Sequence, residues 1–434
     1  MLSKKSLLTF GFGLFIIFSS HLAIAQDSLY HIIGGRKNSN VQVQKPYVIM
    51  ISIDGFRWDY PEMYGAKNLM EMGAEGIRAH SMFPSYPSKT FPNHYSLVTG
   101  LYPSHHGIVD NSFFDRNRQK SYQINNRKAV EDGSWYQGTP LWVLAERQSM
   151  ITASFYWVGS EAAIQGIYPT YFYTYSDKIP LNTRLLQVKR WLELPDSIRP
   201  HLLTFYFPEV DHAGHTFGPD SPETRIAVQK IDSAIGQLKM LLDPLKLKIN
   251  YIVVSDHGMA KVLNDDPILI DRKEMDLNGV KVFGGETQLN LYIKDSSRIK
   301  PLFDSLDMKK NHYKVYLKKD FPSSFHYNGL EDHMNRIGDI ILLADFPYVF
   351  GVNGRKGSIG THGFDPAIPE MQALFIANGP NFKKGLKISS FENIHVYPLV
   401  CKILGLNIES PIDGKTSVLE PILLNQSDFK RKKK

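Results

Sequence analysis

At 434 residues, with 43% hydrophobic, 21% charged and 12% aromatic residues, the chain has enough apolar side chains for a large core, which excludes a disordered class. Its formal charge of +7 comes from the ends, Lys4 and Lys5 at one and residues 430–434 at the other; residues 26–429 carry no net charge, so no nucleic-acid groove is expected. The single cysteine, Cys401, excludes an intrachain disulfide and, in an exported protein, fits a bacterial periplasm better than a disulfide-rich secretome.

Residues 1–25 read as a signal peptide: a positive start at Lys4 and Lys5, an apolar stretch over 7–17 and the small-x-small site Ala23-Ile24-Ala25. The apolar stretch is shorter than the ~20 residues that span a bilayer. The expected mature chain is therefore exported, periplasmic or secreted, begins near Gln26 and has no transmembrane span. Residues 26–45 are polar and aperiodic and read as a linker. Tyr47–Ile53 is an apolar, β-branched run that ends in Asp54. Residues 84–107 are rich in Pro, Ser, His and Thr, with a helix-compatible stretch at 93–99. Helical spacing follows at 139–148, a strand at 151–156, an amphipathic helix at 181–193 and a second apolar run, Leu202–Phe207, leading to Asp211. A long helix is expected at Pro222–Leu242, then a strand at 251–255 ending in Asp256-His257. Residues 261–337 lose this pattern and read as an insertion or cap; the core pattern is expected to return at 339–343 and 371–377. Residues 46–425 form one domain on this reading, followed by a basic tail at 426–434.

Strands alternating with helices argue for an α/β fold, a mostly parallel central sheet with helices on both faces. In such sheets ligands sit at the carboxyl ends of the strands. Asp54, Asp211 and Asp256 should therefore meet at one edge, where three carboxylates repel one another unless a cation compensates. His215 lies one helical turn after Asp211, His257 adjoins Asp256, and His362 stands in Gly-Thr-His-Gly. Three carboxylates with three imidazoles suit two zinc ions better than magnesium or calcium, which prefer oxygen shells. Thr90, before a helix-like stretch, offers a hydroxyl that a cation could activate as nucleophile. Asn111 could donate its amide to a transition-state oxygen. His94, His105, His106 and His212 are read as structural or supporting.

At these residues the chain resembles the nucleotide pyrophosphatase/phosphodiesterase family of the alkaline phosphatase superfamily. The segments are ISIDGFRW (51–58), PSYPSKTFPNHYSLVTGLYPSHHGIVDN (84–111), EVDHAGHTFGP (209–219), VVSDHGM (253–259) and GTHGFD (360–365). The resemblance implies an alkaline phosphatase-like fold in which Asp211, His215 and His362 hold one zinc, and Asp54, Asp256, His257 and Thr90 the other. It implies two-step hydrolysis of nucleotide phosphodiester and pyrophosphate bonds through a covalent Thr90 ester, with Asn111 in the oxyanion hole and nucleoside 5′-monophosphate released. Phe91 and Tyr175 match positions that stack a substrate base. Other members cleave lysophospholipid or choline phosphodiesters, which is the alternative substrate class; a non-catalytic metal-binding envelope protein is a third reading. The cysteine-rich and nuclease-like modules of animal members are missing, which implies a bare catalytic unit of bacterial type. The expected partner is a small nucleotide; oligomeric state is not implied.

Overall fold

Every residue of Tyr47–Ile53 is buried, because helices cover the sheet on both sides of this strand. The computed structural model describes residues 29–270, 272–273, 275–351 and 357–424; the leader and tail readings lie outside them. The central sheet takes seven strands from before the insertion: β1 (Tyr30–Ile32), β2 (Tyr47–Ile53), β3 (Ile77–Ala79), β4 (Thr152–Phe155), β5 (Tyr171–Tyr173), β6 (Leu202–Phe207) and β7 (Ile249–Val254). Four more make a separate sheet in and just after the insertion: β8 (Lys281–Gly284), β9 (Gln288–Tyr292), β10 (Tyr313–Leu317) and β11 (Ile340–Ala344). The central sheet's last two strands follow: β12 (Phe375–Asn378) and β13 (Leu386–Ile388).

The central sheet runs β1-β5-β4-β6-β2-β7-β12-β3-β13. Its middle, from β5 to β7, is parallel throughout. Beyond this block, β12 is antiparallel to both neighbours, and β1 is antiparallel to β5. Alternate residues of β2 face opposite sides. Val48 and Met50 pack with the helices at Thr90–Thr99, Leu141–Arg147 and Val396–Leu404. Ile49, Ile51 and Ile53 pack with those at Lys67–Glu75, Leu181–Leu192 and Pro222–Leu242. Among the described residues no helix is long and apolar enough to cross a membrane.

Two readings need correction. Residues 26–45 are not wholly a linker: β1 is an edge strand of the central sheet, and the Asn38 side chain donates to the Asp196 and Arg199 carbonyls and accepts from the Ile151 amide. Three residues at an edge are too few to show a period. The run at 339–343 does not rejoin the central sheet either. It is β11, paired antiparallel with β9 and β10 inside the insertion. Ile341 and Leu343 pack into the core shared with the main domain, while Ile340 and Leu342 pack into the insertion's own core. Burial on both faces makes such a strand read like a central one.

His105, in the Pro103–His106 turn of helix, ties three segments together. Its Nδ1 meets Asp413 Oδ2 at 2.8 Å, and its Nε2 lies 3.9 Å from Glu331 of the insertion. The Asp413 bond raises the His105 pKa above its ordinary value; His105 in turn, against the effect of burial, holds Asp413 below the usual carboxylate range. The histidine contribution is complete below its unfolded value and lost as pH rises through the folded one; the aspartate contribution is lost as pH falls through its own lowered value. His105→Gln should therefore lower the melting temperature more at pH 5.5 than at pH 8.5, and an equal loss at both would show that the bond carries no charge.

Candidate functional site

Because β6, β2 and β7 are parallel and in register, their carboxyl ends share one edge. Asp54 follows β2, Asp256 and His257 follow β7, and β6 runs into the helix Glu209–Phe217 that carries Asp211 and His215 on one face. His362 comes from the segment after the short strand Gly360–Thr361. The crowding is tight. A Cβ at Gly55, where φ is +64°, would lie 2.9 Å from the Asp211 Cα, so only glycine lets the two loops approach this closely.

The acids and imidazoles form two adjoining clusters. In one, Asp54, Asp256 and His257 offer ligand atoms within 4.8 Å of one another. His257 Nε2 lies 2.9 Å from Asp256 Oδ2, 3.4 Å from Asp54 Oδ1 and 3.3 Å from Thr90 Oγ1. In the other, His215 Nε2 is 3.4 Å from Asp211 Oδ1 and 3.1 Å from His362 Nε2, which is 3.7 Å from Asp211 Oδ1. The His257 and His362 rings stack with centroids 3.5 Å apart, joining the clusters.

Three observations fit these groups to bound cations. First, Asp54 Oδ1, Asp211 Oδ1 and Asp256 Oδ2 are buried and accept no hydrogen bond, a costly state for carboxylate oxygens. Second, His215 Nδ1 donates to the Gly360 carbonyl, His257 Nδ1 to that of Gly258 and His362 Nδ1 to that of Ser88, each at 2.8 Å. That tautomer turns an Nε2 lone pair inward in every case, as in metal-binding histidines. The facing His215 and His362 nitrogens cannot then bond each other; a cation between them resolves the conflict. Third, the Asp54 carboxyl is short of a positive partner. Burial, then Asp256 and Asp211, push the Asp54 carboxyl well above the usual range. Burial, then His257 and His215, keep His362 neutral, well below the ordinary imidazole range.

Thr90 is the first residue of the helix Thr90–Thr99, which begins three residues earlier than expected. Asn111 Oδ1 accepts from the Phe91 amide at 3.0 Å, leaving the Asn111 NH2 free to donate. Residues 48–365 match the type I phosphodiesterase / nucleotide pyrophosphatase family. The chain belongs to this family. It lies within the alkaline phosphatase superfamily, and its relatives agree with that placement. A pyrophosphatase/phosphodiesterase of Schizosaccharomyces pombe is 35% identical, over 96% of this chain and 89% of that protein. Ectonucleotide pyrophosphatase/phosphodiesterase family member 1 of Mus musculus is 36% identical over 88% of this chain, which spans only 43% of that longer protein. The structure of murine ectonucleotide pyrophosphatase/phosphodiesterase 5 superposes with a TM-score of 0.81 at 28% identity, covering 88% of this chain and all of that one; an inactive variant of that protein has been solved in complex with AMP.

All seven residues read as metal-facing in this family member, Thr90 included, fall in the two clusters. Phe91 is half-buried and packs against Tyr122; Tyr175 is 39% exposed, with its ring 6.4 Å from that of Tyr206. Of the histidines read as structural, His106 is buried, its pKa lowered by burial to about 3, and His212 is exposed. His94 supports the site: its Nε2 meets Ser52 Oγ at 2.8 Å and its Nδ1 the Thr90 carbonyl at 2.9 Å. Sequence reasoning missed Tyr206, whose hydroxyl donates to Asp54 Oδ2 at 2.6 Å, and the buried pair Lys89–Asp110. Nothing in an apolar strand distinguishes Tyr206. Lys89 and Asp110 did carry a signal, since each directly precedes a candidate catalytic residue.

Proposed function

We propose that the chain is a zinc-dependent hydrolase of nucleotide phosphodiester and pyrophosphate bonds that works through a covalent Thr90 ester and releases nucleoside 5′-monophosphates. The observation that carries this reading is the convergence of three outward-anchored imidazoles and three unpartnered carboxylate oxygens beside the Thr90 hydroxyl. Asp211, His215 and His362 would hold one zinc ion; Asp54, Asp256, His257 and Thr90 would hold the other. Zinc supplies Lewis-acid charge and makes a hydroxyl nucleophilic near neutral pH.

The side chains do the rest. Thr90 Oγ1 gives up its proton to solvent and attacks phosphorus in line; the Oγ1–P bond forms as the bond to the leaving oxygen breaks, and solvent returns a proton to that oxygen. Asn111, with its carbonyl end pinned by the Phe91 amide, donates Nδ2–H to the non-bridging oxygen as charge develops there, and the amides at the start of the 90–99 helix add their dipoles. Water then attacks the same phosphorus, releases the monophosphate and returns the Thr90 hydroxyl. Phe91 and Tyr175 hold the base by stacking, which tolerates any base. The same reading places the mature chain outside the cytoplasm, with Gln26 as the N-terminal residue that protein sequencing should find.

The test compares p-nitrophenyl esters of a nucleoside 5′-monophosphate, of phosphocholine and of phosphate alone. The nucleoside ester should be turned over fastest. Faster hydrolysis of the choline ester would favour the lipid-headgroup alternative, and cleavage of the monoester alone would exclude a phosphodiesterase. Phe91→Ala and Tyr175→Ala should each lower kcat/KM for the nucleoside ester by about 5- to 150-fold, the equivalent of ~1–3 kcal/mol of stacking, with little effect on the choline ester.

A further inference from the structure

We propose that the buried ion pair Lys89–Asp110 is the positioning element that sets the nucleophile and the oxyanion donor in register; this rests on the roles assigned above to Thr90 and Asn111. Lys89 Nζ donates to both Asp110 oxygens, at 2.9 and 3.0 Å. The two side chains are 8% and 1% exposed. Asp110 Oδ1 also accepts the Asn111 amide at 2.6 Å, and Gln288 Nε2 approaches Asp110 Oδ2 at 3.4 Å. The carboxylate is thus held from three directions.

The placement of the pair matters more than its strength. Lys89 and Asp110 lie one residue before Thr90 and Asn111. On the far side of Thr90, the Phe91 amide is bonded to Asn111 Oδ1. Residues 89 and 91 are therefore tied to residues 110 and 111, with Thr90 held between the two ties. Neither tie alone fixes the rotation of the 108–111 loop about the start of the helix; together they do. The Lys89 stem also lies under Gly363, where a Cβ would meet Lys89 Cε at 2.9 Å, so the segment that follows His362 packs on the same side chain. From the insertion, Gln288 accepts from Tyr86 and donates to Tyr327, whose hydroxyl bonds the Val109 carbonyl at 3.0 Å. The insertion thereby braces the loop that presents Asn111.

A buried ion pair is weak evidence for stability, since apolar replacements of both partners are often neutral. What a paired lysine and carboxylate supply here is directional fixing, and misplacing a catalytic group by about 1 Å can cost on the order of 10²-fold. Lys89→Met and Asp110→Asn should each lower kcat for the nucleoside p-nitrophenyl ester by roughly 10²-fold, with KM and metal content unchanged. The double variant Lys89→Met/Asp110→Asn, which leaves no uncompensated buried charge and keeps the test open where a single variant misfolds, should lose no more than either single. In an Asn111→Ala background the Lys89→Met loss should be clearly smaller than in wild type, and amide hydrogen exchange at Phe91 and Asn111 should quicken in Lys89→Met while the global melt stays put. Near-wild-type kcat in the singles, or a full further loss on top of Asn111→Ala, would overturn the positioning role. Wild-type kcat in Asn111→Ala itself would instead remove the oxyanion reading on which the proposal stands.

Discussion

Thr90→Ala should lower kcat by on the order of 10⁵-fold, the scale of losing a covalent nucleophile, while leaving the fold and the metal content intact. Thr90 Oγ1 is the hydroxyl facing His257, at 3.3 Å. The neighbouring hydroxyls are committed elsewhere: Ser88 Oγ donates to the Phe364 carbonyl at 2.7 Å and accepts the Gly363 amide, and Ser85 Oγ donates to Asn393 at 2.8 Å. Neither can replace Thr90 without breaking a buried bond. The Thr90 side chain caps nothing, and the change leaves the acids and imidazoles of the two clusters in place. The variant should therefore melt as wild type and still bind nucleoside monophosphate in calorimetry. Thr90→Ser restores a hydroxyl and should keep activity within about tenfold of wild type. Substantial turnover by Thr90→Ala would remove the nucleophile assignment and leave direct attack by water.

The convergence of acids and imidazoles at the candidate site was legible in the sequence because they stand at chain positions with a physical meaning. Short, β-branched apolar runs such as Tyr47–Ile53 and Leu202–Phe207 read as buried strands, and parallel strands bring their final residues to one edge. The periodicity of Pro222–Leu242 is that of a covering helix, and the observed helix has the expected bounds. Failure came where burial and sequence period part company. β11 is buried on both faces inside the insertion and so imitates a strand of the main sheet; β1 is too short to have a period. The supporting shell was illegible for a different reason. Tyr206 differs from its apolar neighbours by one hydroxyl, and its bond to Asp54 joins residues 152 apart in the chain. Lys89 and Asp110 are visible as charges beside candidate catalytic residues, but their pairing across 21 positions is not.

Stripping the metal should abolish turnover and lower stability, with both restored by zinc and neither by magnesium or calcium, whose oxygen preference does not suit three imidazoles. Zinc held at a hundred times its dissociation constant would contribute ~2.7 kcal/mol to folding. The sharper expectation concerns Asp54→Asn. With zinc bound, the variant loses a ligand and should be the less stable protein. In the stripped protein the order should reverse. There the Asp54 carboxylate is buried beside Asp256 and Asp211, and its pKa is pushed well above the usual range. A raised carboxyl pKa contributes stability that is complete below the unfolded value and lost as pH rises through the folded one. Ionised Asp54 is thus a liability in the stripped state, and one that grows with pH. Asparagine removes that charge and keeps an oxygen for the Tyr206 hydroxyl. Stripped Asp54→Asn should therefore melt above stripped wild type, by more at pH 8 than at pH 5, with the ranking inverted once zinc is added. A chelated enzyme at full turnover, or an Asp54→Asn protein less stable in both states, would mean that the carboxylates are held by the fold itself and that no cation balances them.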